Sequence, residues 1–185
     1  MRTWQQYLQR IETNEFTPAD VDSLSGLGMQ FELIDGVLMV TPPRGPVHHA
    51  TSAACLRLLI RNCPSEHWVM AGSCDYRPSG RLCLQPDGLV CRREDIGPNV
   101  IEHPLLLAVE VLSPATRVKD LVLKRALYEQ TGVASCWMLE PDEAVLTVLE
   151  LVDGRYVERV VVRGDEVFEA KLPFPVRVVP SELVG

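Results

Sequence analysis

Residues 105–139 read LLLAVEVLSPATRVKDLVLKRALYEQTGVASCWML and predict a strand, a helix and a second strand. Residues 105–112 are almost entirely apolar, which is typical of a strand buried on both faces. Residues 113–116 contain a proline and end that strand, and residues 119–130 predict a helix that stops at Thr131-Gly132, with Gly132 as its terminal cap. Residues 135–139 then predict the second strand. A helix between two buried strands indicates a sheet with a helix packed against it.

Hairpins and further helices extend this unit in both directions. Residues 31–34 and 37–40 flank Asp35-Gly36, a strong signal for a two-residue hairpin turn. Residues 1–30 predict two short helical pieces, one starting at Thr17-Pro18, and residues 47–62 predict a longer helix. Strand-like segments occupy 68–76, 82–91, 144–151, 156–162 and 167–179. The predicted fold class is α/β (α+β), a mixed β-sheet flanked by helices with additional β-hairpins, and 185 residues predict a single domain over 1–185.

Composition limits the classes of function. The net charge of -7 argues against a large non-specific nucleic-acid surface, although a local basic cleft remains compatible with it. The N-terminus lacks the apolar core of a secretory signal, and no apolar run is long enough to span a membrane. The six cysteines show no zinc-binding spacing, so we expect reduced thiols in a cytoplasmic protein.

Glu110 is the first candidate for chemistry, because it interrupts the apolar strand 105–112. Burying a lone carboxylate costs several kcal/mol, so Glu110 must have an ionic partner or a metal. A purely structural ion pair, or a carboxylate that reaches solvent at the strand end, is the alternative interpretation. The sequence requires a partner for Glu110 and does not identify it.

Asp87 and Lys124 are the groups that could complete a site around Glu110. Asp87 follows Pro86 inside a predicted strand over 84–90, where a turn or bulge residue is the simpler interpretation. Two carboxylates on adjacent strands could nevertheless converge on one Mg²⁺ ion. Lys124 shares a helix face with Asp120, four residues earlier, and an ordinary surface ion pair is the alternative there.

Two further polar residues are candidates for the site. Gln85 precedes Asp87 by two residues, which predicts the same strand face, so its side chain could contact the site. His48, at the start of the helix over 47–62, could contact a phosphate or act in acid–base chemistry. A helix cap or a surface histidine is the alternative for His48. Ser113 lacks a His-Asp partner pattern and is better interpreted as part of the turn into the next helix.

The chain resembles the Uma-type putative restriction endonuclease family of bacteria. The resemblance covers nearly the whole chain, and its segments are Phe31–Gly36, Pro42–His48, Pro86-Asp87, Glu110–Thr116, Asp120, Lys124, Tyr128, Gly132-Val133, Cys136–Leu139 and Leu172–Val176. It implies a restriction-endonuclease-like core of the PD-(D/E)xK superfamily, with one or two divalent metals, Mg²⁺ or Mn²⁺. By that resemblance Asp87 and Glu110 are metal ligands and Glu32 is a third acidic residue. Leu112 occupies the usual lysine position, and the resemblance implies that Lys124 takes that role.

The leading functional hypothesis is therefore a metal-dependent endonuclease acting on DNA, and the expected assembly is a homodimer. A catalytically silent binding module on the same fold and a metal-dependent hydrolase of a small phosphate ester are the alternatives. A DNA-binding cleft would need local positive charge. The basic residues that could line it are Arg44, Arg57, Arg61, Arg92, Arg93, Arg117, Lys119 and Arg125.

Overall fold

A computed structural model of the protein describes residues 13–24, 28–72, 74–114 and 117–184. Its α-helices are α1 (Pro18–Leu24), α2 (Pro46–Asn62) and α3 (Arg125–Gln130), and a π-helical turn at Lys119–Lys124 runs directly into α3. The strands are β1 (Gln30–Ile34), β2 (Val37–Thr41), β3 (His67–Ala71), β4 (Tyr76–Ser79), β5 (Leu82–Leu84), β6 (Gly88–Arg92), β7 (Leu107–Val111), β8 (Ser135–Glu140), β9 (Val145–Val152), β10 (Arg155–Arg163), β11 (Phe168–Ala170) and β12 (Val176–Val178). Short 3-10 turns span Arg93–Asp95, Pro141–Glu143 and Pro180–Glu182.

The larger sheet has six strands in the order β10-β9-β8-β7-β6-β3. Among the described strands of this sheet, only β7 and β8 pair in parallel, and the π turn and α3 form the crossover between them. A parallel pair needs such a crossover, whereas the antiparallel neighbours in this sheet are joined by shorter connections. The strand–helix–strand unit expected from residues 105–139 therefore forms the centre of the mixed sheet, and the predicted fold class is confirmed.

A second, four-stranded antiparallel sheet has the order β2-β1-β5-β4. The β1–β2 hairpin turns at Asp35-Gly36, as the sequence predicted, and both residues have positive φ (49° and 85°). Gly36 is required there, because a Cβ atom would lie 2.0 Å from the carbonyl oxygen of Asn14. This sheet carries Glu32 on β1, so it contributes to the site from outside the six-stranded sheet.

Strand β7 is buried on both faces. Leu107, Val109 and Val111 pack into one apolar cluster with residues of α2, and Ala108 packs into the cluster on the opposite face, which includes Tyr128 of α3. Successive strand residues point to opposite faces, so Glu110 lies on the same face as Ala108 and beneath α3. The carboxylate thus lies between the sheet and the crossover.

Two strand predictions and one helix prediction need correction. Residues 68–76 form the separate strands β3 and β4, and residues 82–91 form β5 and β6, which belong to different sheets. Pro86 interrupts the second segment because proline has no N–H to donate to a ladder. The predicted helix over 119–130 contains the π turn, while its cap at Gly132 has the expected positive φ of 78°. The helical piece expected before α1 falls outside the described residues.

Helix α1 begins where the sequence predicted. The Thr17 N–H and hydroxyl donate to Asp20 Oδ2 at 2.8 and 2.6 Å, a capping arrangement that fixes the first turn. The six cysteines form no disulfide. None of the helices in the described residues is long and apolar enough to span a membrane.

Candidate functional site

Asp87 lies in the break between β5 and β6, not inside a continuous strand. Its carboxylate oxygen Oδ2 accepts the N–H of Val111 at 2.8 Å and lies 3.1 Å from His48 Nε2. Its carbonyl oxygen accepts from Gly72 N at 3.0 Å and Ser52 Oγ at 3.2 Å. Burial alone would raise the pKa of Asp87, but hydrogen bonding to His48 and the nearby Lys124 charge lower it below its ordinary value. Asp87 is therefore an ionised carboxylate with two contacts at Oδ2, and two further donors hold its backbone carbonyl.

Helix α2 positions His48 against Asp87. The helix packs closely on β6 because Gly88 has no side chain: a Cβ there would lie 2.9 Å from the side chain of Leu56. His48 is buried and makes no capping bond, so the surface and cap interpretations are wrong, whereas its neighbour His49 is exposed. An ionised carboxylate only accepts hydrogen bonds, so Nε2 carries the proton in the contact with Asp87.

Glu110 is fully buried on β7. Its Oε1 lies 2.5 Å from Lys124 Nζ and accepts the Tyr128 hydroxyl at 2.5 Å. Its Oε2 has no hydrogen-bond partner among the described residues. Burial, opposed by the favourable charge of Lys124 and reinforced by the negative charges of Asp87 and Asp120, raises the pKa of Glu110 to about 8.

Lys124 and Asp120 are both fully buried, so the interpretation as a helix-surface ion pair is wrong. Lys124 Nζ contacts Glu110 Oε1 at 2.5 Å, Glu32 Oε1 at 3.0 Å and the Gln85 carbonyl oxygen at 3.3 Å. Burial would lower the pKa of Lys124, but the surrounding carboxylates, Glu110 first, raise it above its ordinary value. Lys124 is a permanent cation at the centre of the site.

Glu32 approaches Lys124 from the four-stranded sheet. Its Oε1 also accepts the Gln85 N–H at 3.0 Å, and its Oε2 faces Lys119 Nζ at 2.7 Å. Burial would raise the pKa of Glu32, but Lys124 and Lys119 lower it to about 2. Gln85 thus contacts the site through its backbone; its side-chain amide instead donates to Asp75 Oδ1 at 2.6 Å.

A cleft of about 450 Å³ opens onto Asp87 and His48. Much of its wall is small or apolar, including residues of the loop after β2 and of α2. Among the basic residues expected to line such a cleft, only Arg44 does so, and Arg92 and Arg93 line a different surface pocket. The cleft is therefore much less basic than the sequence suggested.

The donor set fits a divalent cation of the magnesium type. Among the described residues, no three His, Cys, Asp or Glu side chains are arranged to coordinate one ion. Magnesium, however, is commonly bound by one or two carboxylates and retains several waters. Glu110 Oε2 is a buried carboxylate oxygen that no described residue contacts by a hydrogen bond, and Asp87 lies beside the cleft. These two carboxylates could hold such an ion, and Lys124 already occupies the other oxygen of Glu110.

The structure brings Asp87, Glu110, Lys124, Glu32 and His48 together, as well as Asp120 and the backbone of Gln85. Two residues of the site were missed as functional groups. Tyr128 entered only as one of the positions that carry the resemblance, although its position four residues after Lys124 places it on the same helix face. Lys119 was considered only as one of many basic residues. The sequence signal that could have found Lys119 is the scarcity of lysine, since only three of the 18 basic residues are lysines. Two of these three, Lys119 and Lys124, face Glu32 in the structure.

Comparison with known proteins identifies the family. The family model Uma2, described as "Putative restriction endonuclease", matches residues 5–180. The chain belongs to the Uma2 family. The resemblance stated from the sequence motifs is thereby confirmed.

The fold of this Uma2 protein is also similar to a solved structure. A crystal structure from Anabaena variabilis, described as a putative nuclease belonging to DUF820, superposes with a TM-score of 0.69. The two chains are 18% identical, and the match covers 91% of this chain and 97% of the other. At that identity the similarity establishes the fold alone. No curated protein sequence matches the chain.

Proposed function

We propose that this Uma2 protein is a metal-dependent endonuclease that hydrolyses phosphodiester bonds of DNA, with Mg²⁺ or Mn²⁺ held by Asp87 and Glu110. The observation that carries the proposal is a buried carboxylate oxygen, Glu110 Oε2, that has no hydrogen-bond partner among the described residues. Burial and the nearby charges of Asp87, Asp120 and Glu32 disfavour the ionised form of Glu110, and the charge of Lys124 only partly opposes them. A divalent cation held by Asp87 and Glu110 would stabilise the ionised carboxylate.

Each residue of the site has a separate role in the proposed hydrolysis of a phosphodiester. A Mg²⁺ ion held by Asp87 and Glu110 would supply a Lewis acid and would lower the pKa of the attacking water. Lys124 stabilises negative charge that develops at the phosphate, from a position fixed by three acceptors. His48 and the Val111 amide orient the Asp87 carboxylate, and Tyr128 orients Glu110. Such supporting contacts commonly change metal affinity or activity 10- to 100-fold, so each of these residues matters to the site.

We extend the proposal to the whole protein: residues 1–185 form one domain, which acts in the cytoplasm as a homodimer. The site draws on both sheets and the crossover, which supports a single folding unit. A two-fold dimer would present two equivalent sites to the two strands of a duplex. Light scattering coupled to size-exclusion chromatography would measure the mass of the particle, and a mass of one chain would refute the dimer.

The test is cleavage of supercoiled plasmid by the purified protein with Mg²⁺ or Mn²⁺. We expect metal-dependent nicking that is lost in Asp87→Asn, Glu110→Gln and Lys124→Ala. Nicking that persists in all three variants would refute the site. No cleavage of single- or double-stranded DNA with either metal would refute the nuclease, and would favour a silent binding module. Hydrolysis of a small phosphate ester without DNA cleavage would favour the third hypothesis.

A further inference from the structure

Both oxygens of Glu32 are occupied by protein donors. Oε1 accepts the Gln85 N–H and faces Lys124, both at 3.0 Å, and Oε2 faces Lys119 at 2.7 Å. Glu32 is fully buried, so water has little access to it. In this respect it differs from Glu110, whose Oε2 has no partner among the described residues. Glu32 is therefore arranged to hold the ammonium groups of Lys119 and Lys124 and not to ligate a metal.

The π turn explains how two lysines reach one carboxylate. The Arg125 N–H donates to the Asp120 carbonyl five residues earlier, which is the hydrogen bond of a π turn. Residues five apart therefore lie near one face, whereas in an α-helix they would be about 140° apart. Lys119 and Lys124 are five apart and both point at Glu32. An ordinary helix would direct Lys119 away from the site.

Lys119 also ties the site to the wall of the cleft. Its ammonium donates to Thr41 Oγ1 at 3.1 Å, at the end of β2. The next residues along the chain, Pro42, Pro43 and Arg44, line the cleft. The Lys119 side chain is 12% exposed, so it lies at the edge of the buried cluster and not at its centre. Its two contacts connect the loop after β2 to the carboxylate that holds Lys124.

The ammonium of Lys124 has three acceptors for its three protons. They are Glu110 Oε1 at 2.5 Å, Glu32 Oε1 at 3.0 Å and the Gln85 carbonyl oxygen at 3.3 Å. Removing Glu32 would leave the Lys124 ammonium with two acceptors, Glu110 and the Gln85 carbonyl, and nothing to hold it from the side of β1. The direction of the ammonium therefore depends on Glu32, and the position of Glu32 depends on its second lysine.

We propose that Glu32 and Lys119 are positioning residues that fix the Lys124 ammonium beside Glu110, and that Glu32 does not ligate the metal. The proposal rests on the proposed nuclease function for its kinetic consequence. Its structural part, the Lys119–Glu32–Lys124 clamp, stands on the contacts themselves. The two parts are tested by separate measurements.

The first measurement is NMR of the lysine ammonium groups in the metal-free protein. The chain has only three lysines, so the spectrum of ¹⁵N-lysine protein contains at most three such signals. We expect slowly exchanging signals from Lys119 and Lys124 and none from the exposed Lys171. Lys119→Met should make the Lys124 protons exchange at least tenfold faster, whereas Lys171→Met should not change them. An unchanged Lys124 signal in Lys119→Met would overturn the clamp, whether or not the protein cleaves DNA.

The second measurement is binding of Mn²⁺, followed by its electron paramagnetic resonance signal. We expect Glu32→Gln to bind Mn²⁺ within about threefold of the wild-type affinity, and Asp87→Asn to bind at least tenfold more weakly. Equal losses in the two variants would show that Glu32 is a ligand and overturn the proposal. Failure of the wild type to bind Mn²⁺ would instead refute the proposed function and leave the clamp to the NMR result. Glu32→Asp, which keeps the charge, serves if Glu32→Gln does not fold.

Kinetics distinguish positioning from substrate contact. Lys119→Met should lower kcat at least fivefold with KM within twofold of the wild-type value, because a misdirected Lys124 affects the chemical step. Lys119→Arg should restore most of that loss, since it keeps a cation opposite Glu32. A change confined to KM would mean that Lys119 contacts substrate instead, and would overturn the positioning role.

Discussion

Glu110 and Glu32 share Lys124, and their neutral replacements should nevertheless change stability in opposite directions. In the metal-free protein burial raises the pKa of Glu110 from 4.5 to about 8, whereas Lys124 and Lys119 overcome burial and lower that of Glu32 from 4.5 to about 2. One pKa unit corresponds to about 1.4 kcal/mol. The ionised form of Glu110 is thus disfavoured by about 5 kcal/mol, and that of Glu32 is favoured by about 3 kcal/mol.

The pH dependence follows from the sign of each shift. Between pH 4.5 and 8 the folded protein holds a proton on Glu110 that the unfolded chain releases, so this contribution to stability falls as the pH rises. The contribution of Glu32 is present above pH 4.5 and is lost as the pH falls towards 2. At pH 8 we therefore expect Glu110→Gln to be more stable than the wild type, by up to about 5 kcal/mol, and Glu32→Gln to be less stable by about 3 kcal/mol.

The assay is urea unfolding at pH 5 and pH 8 in a chelator, repeated with excess Mg²⁺. The advantage of Glu110→Gln should shrink at pH 5, where wild-type Glu110 is protonated, and Mg²⁺ should stabilise the wild type but not the variant. A Glu110→Gln protein that is several kcal/mol less stable than the wild type at pH 8 would refute this reasoning. That result would identify Glu110 as a structural partner of Lys124, the alternative that its apolar strand first suggested.

Three further predictions concern the groups around the two carboxylates. His48→Ala should weaken Mn²⁺ binding about 10- to 100-fold in calorimetry, whereas His49→Ala should leave it unchanged because His49 is exposed; equal effects would contradict the role of His48. Tyr128→Phe removes the hydroxyl bonded to Glu110 and should lower the free energy of unfolding by about 1–3 kcal/mol in urea titrations; no loss would argue against that bond. Asp120→Asn removes a charge that raises the pKa of Glu110, so the midpoint pH for Mn²⁺ binding should fall, and an unchanged midpoint would exclude this coupling.

The sequence predicts which residues belong to the site better than it predicts which of them contact each other. Glu110 was identifiable because a carboxylate in a strand buried on both faces needs a partner, and the alternation along β7 assigns its face. Which cation meets it could not be read from the chain. Lys124 is held by acceptors at positions 32, 85 and 110, which belong to β1, the β5–β6 connection and β7. Only the packing of the two sheets against the crossover brings these positions together.

Two local features escaped the sequence patterns for definite physical reasons. Apolar residues continue on both sides of Pro86-Asp87, so a period-2 pattern gives one strand where the missing proline N–H divides the segment between two sheets. The π turn adds one residue to a helical turn, and the apolar spacing of the crossover does not reveal it. Both features position functional groups. The break at Pro86 places Asp87 at the wall of the cleft, and the π turn directs Lys119 towards Glu32.

The packing around β7 also explains why Leu112 stands where the superfamily pattern has a lysine. In the superfamily pattern a lysine two residues after the acidic residue points to the same strand face. Here Leu112 is buried in the apolar cluster that contains Tyr128, and its N–H donates to the Leu139 carbonyl at 2.7 Å. A lysine at that position would replace core packing with a charge. The crossover from β7 to β8 covers the sheet face to which Glu110 points. Lys124, in the π turn of this crossover, therefore reaches Glu110 from above the sheet without replacing an apolar residue of the strand. Because a lysine ammonium sits on a flexible four-carbon chain, its acceptors set its direction, and one of them, Glu32, lies on the second sheet.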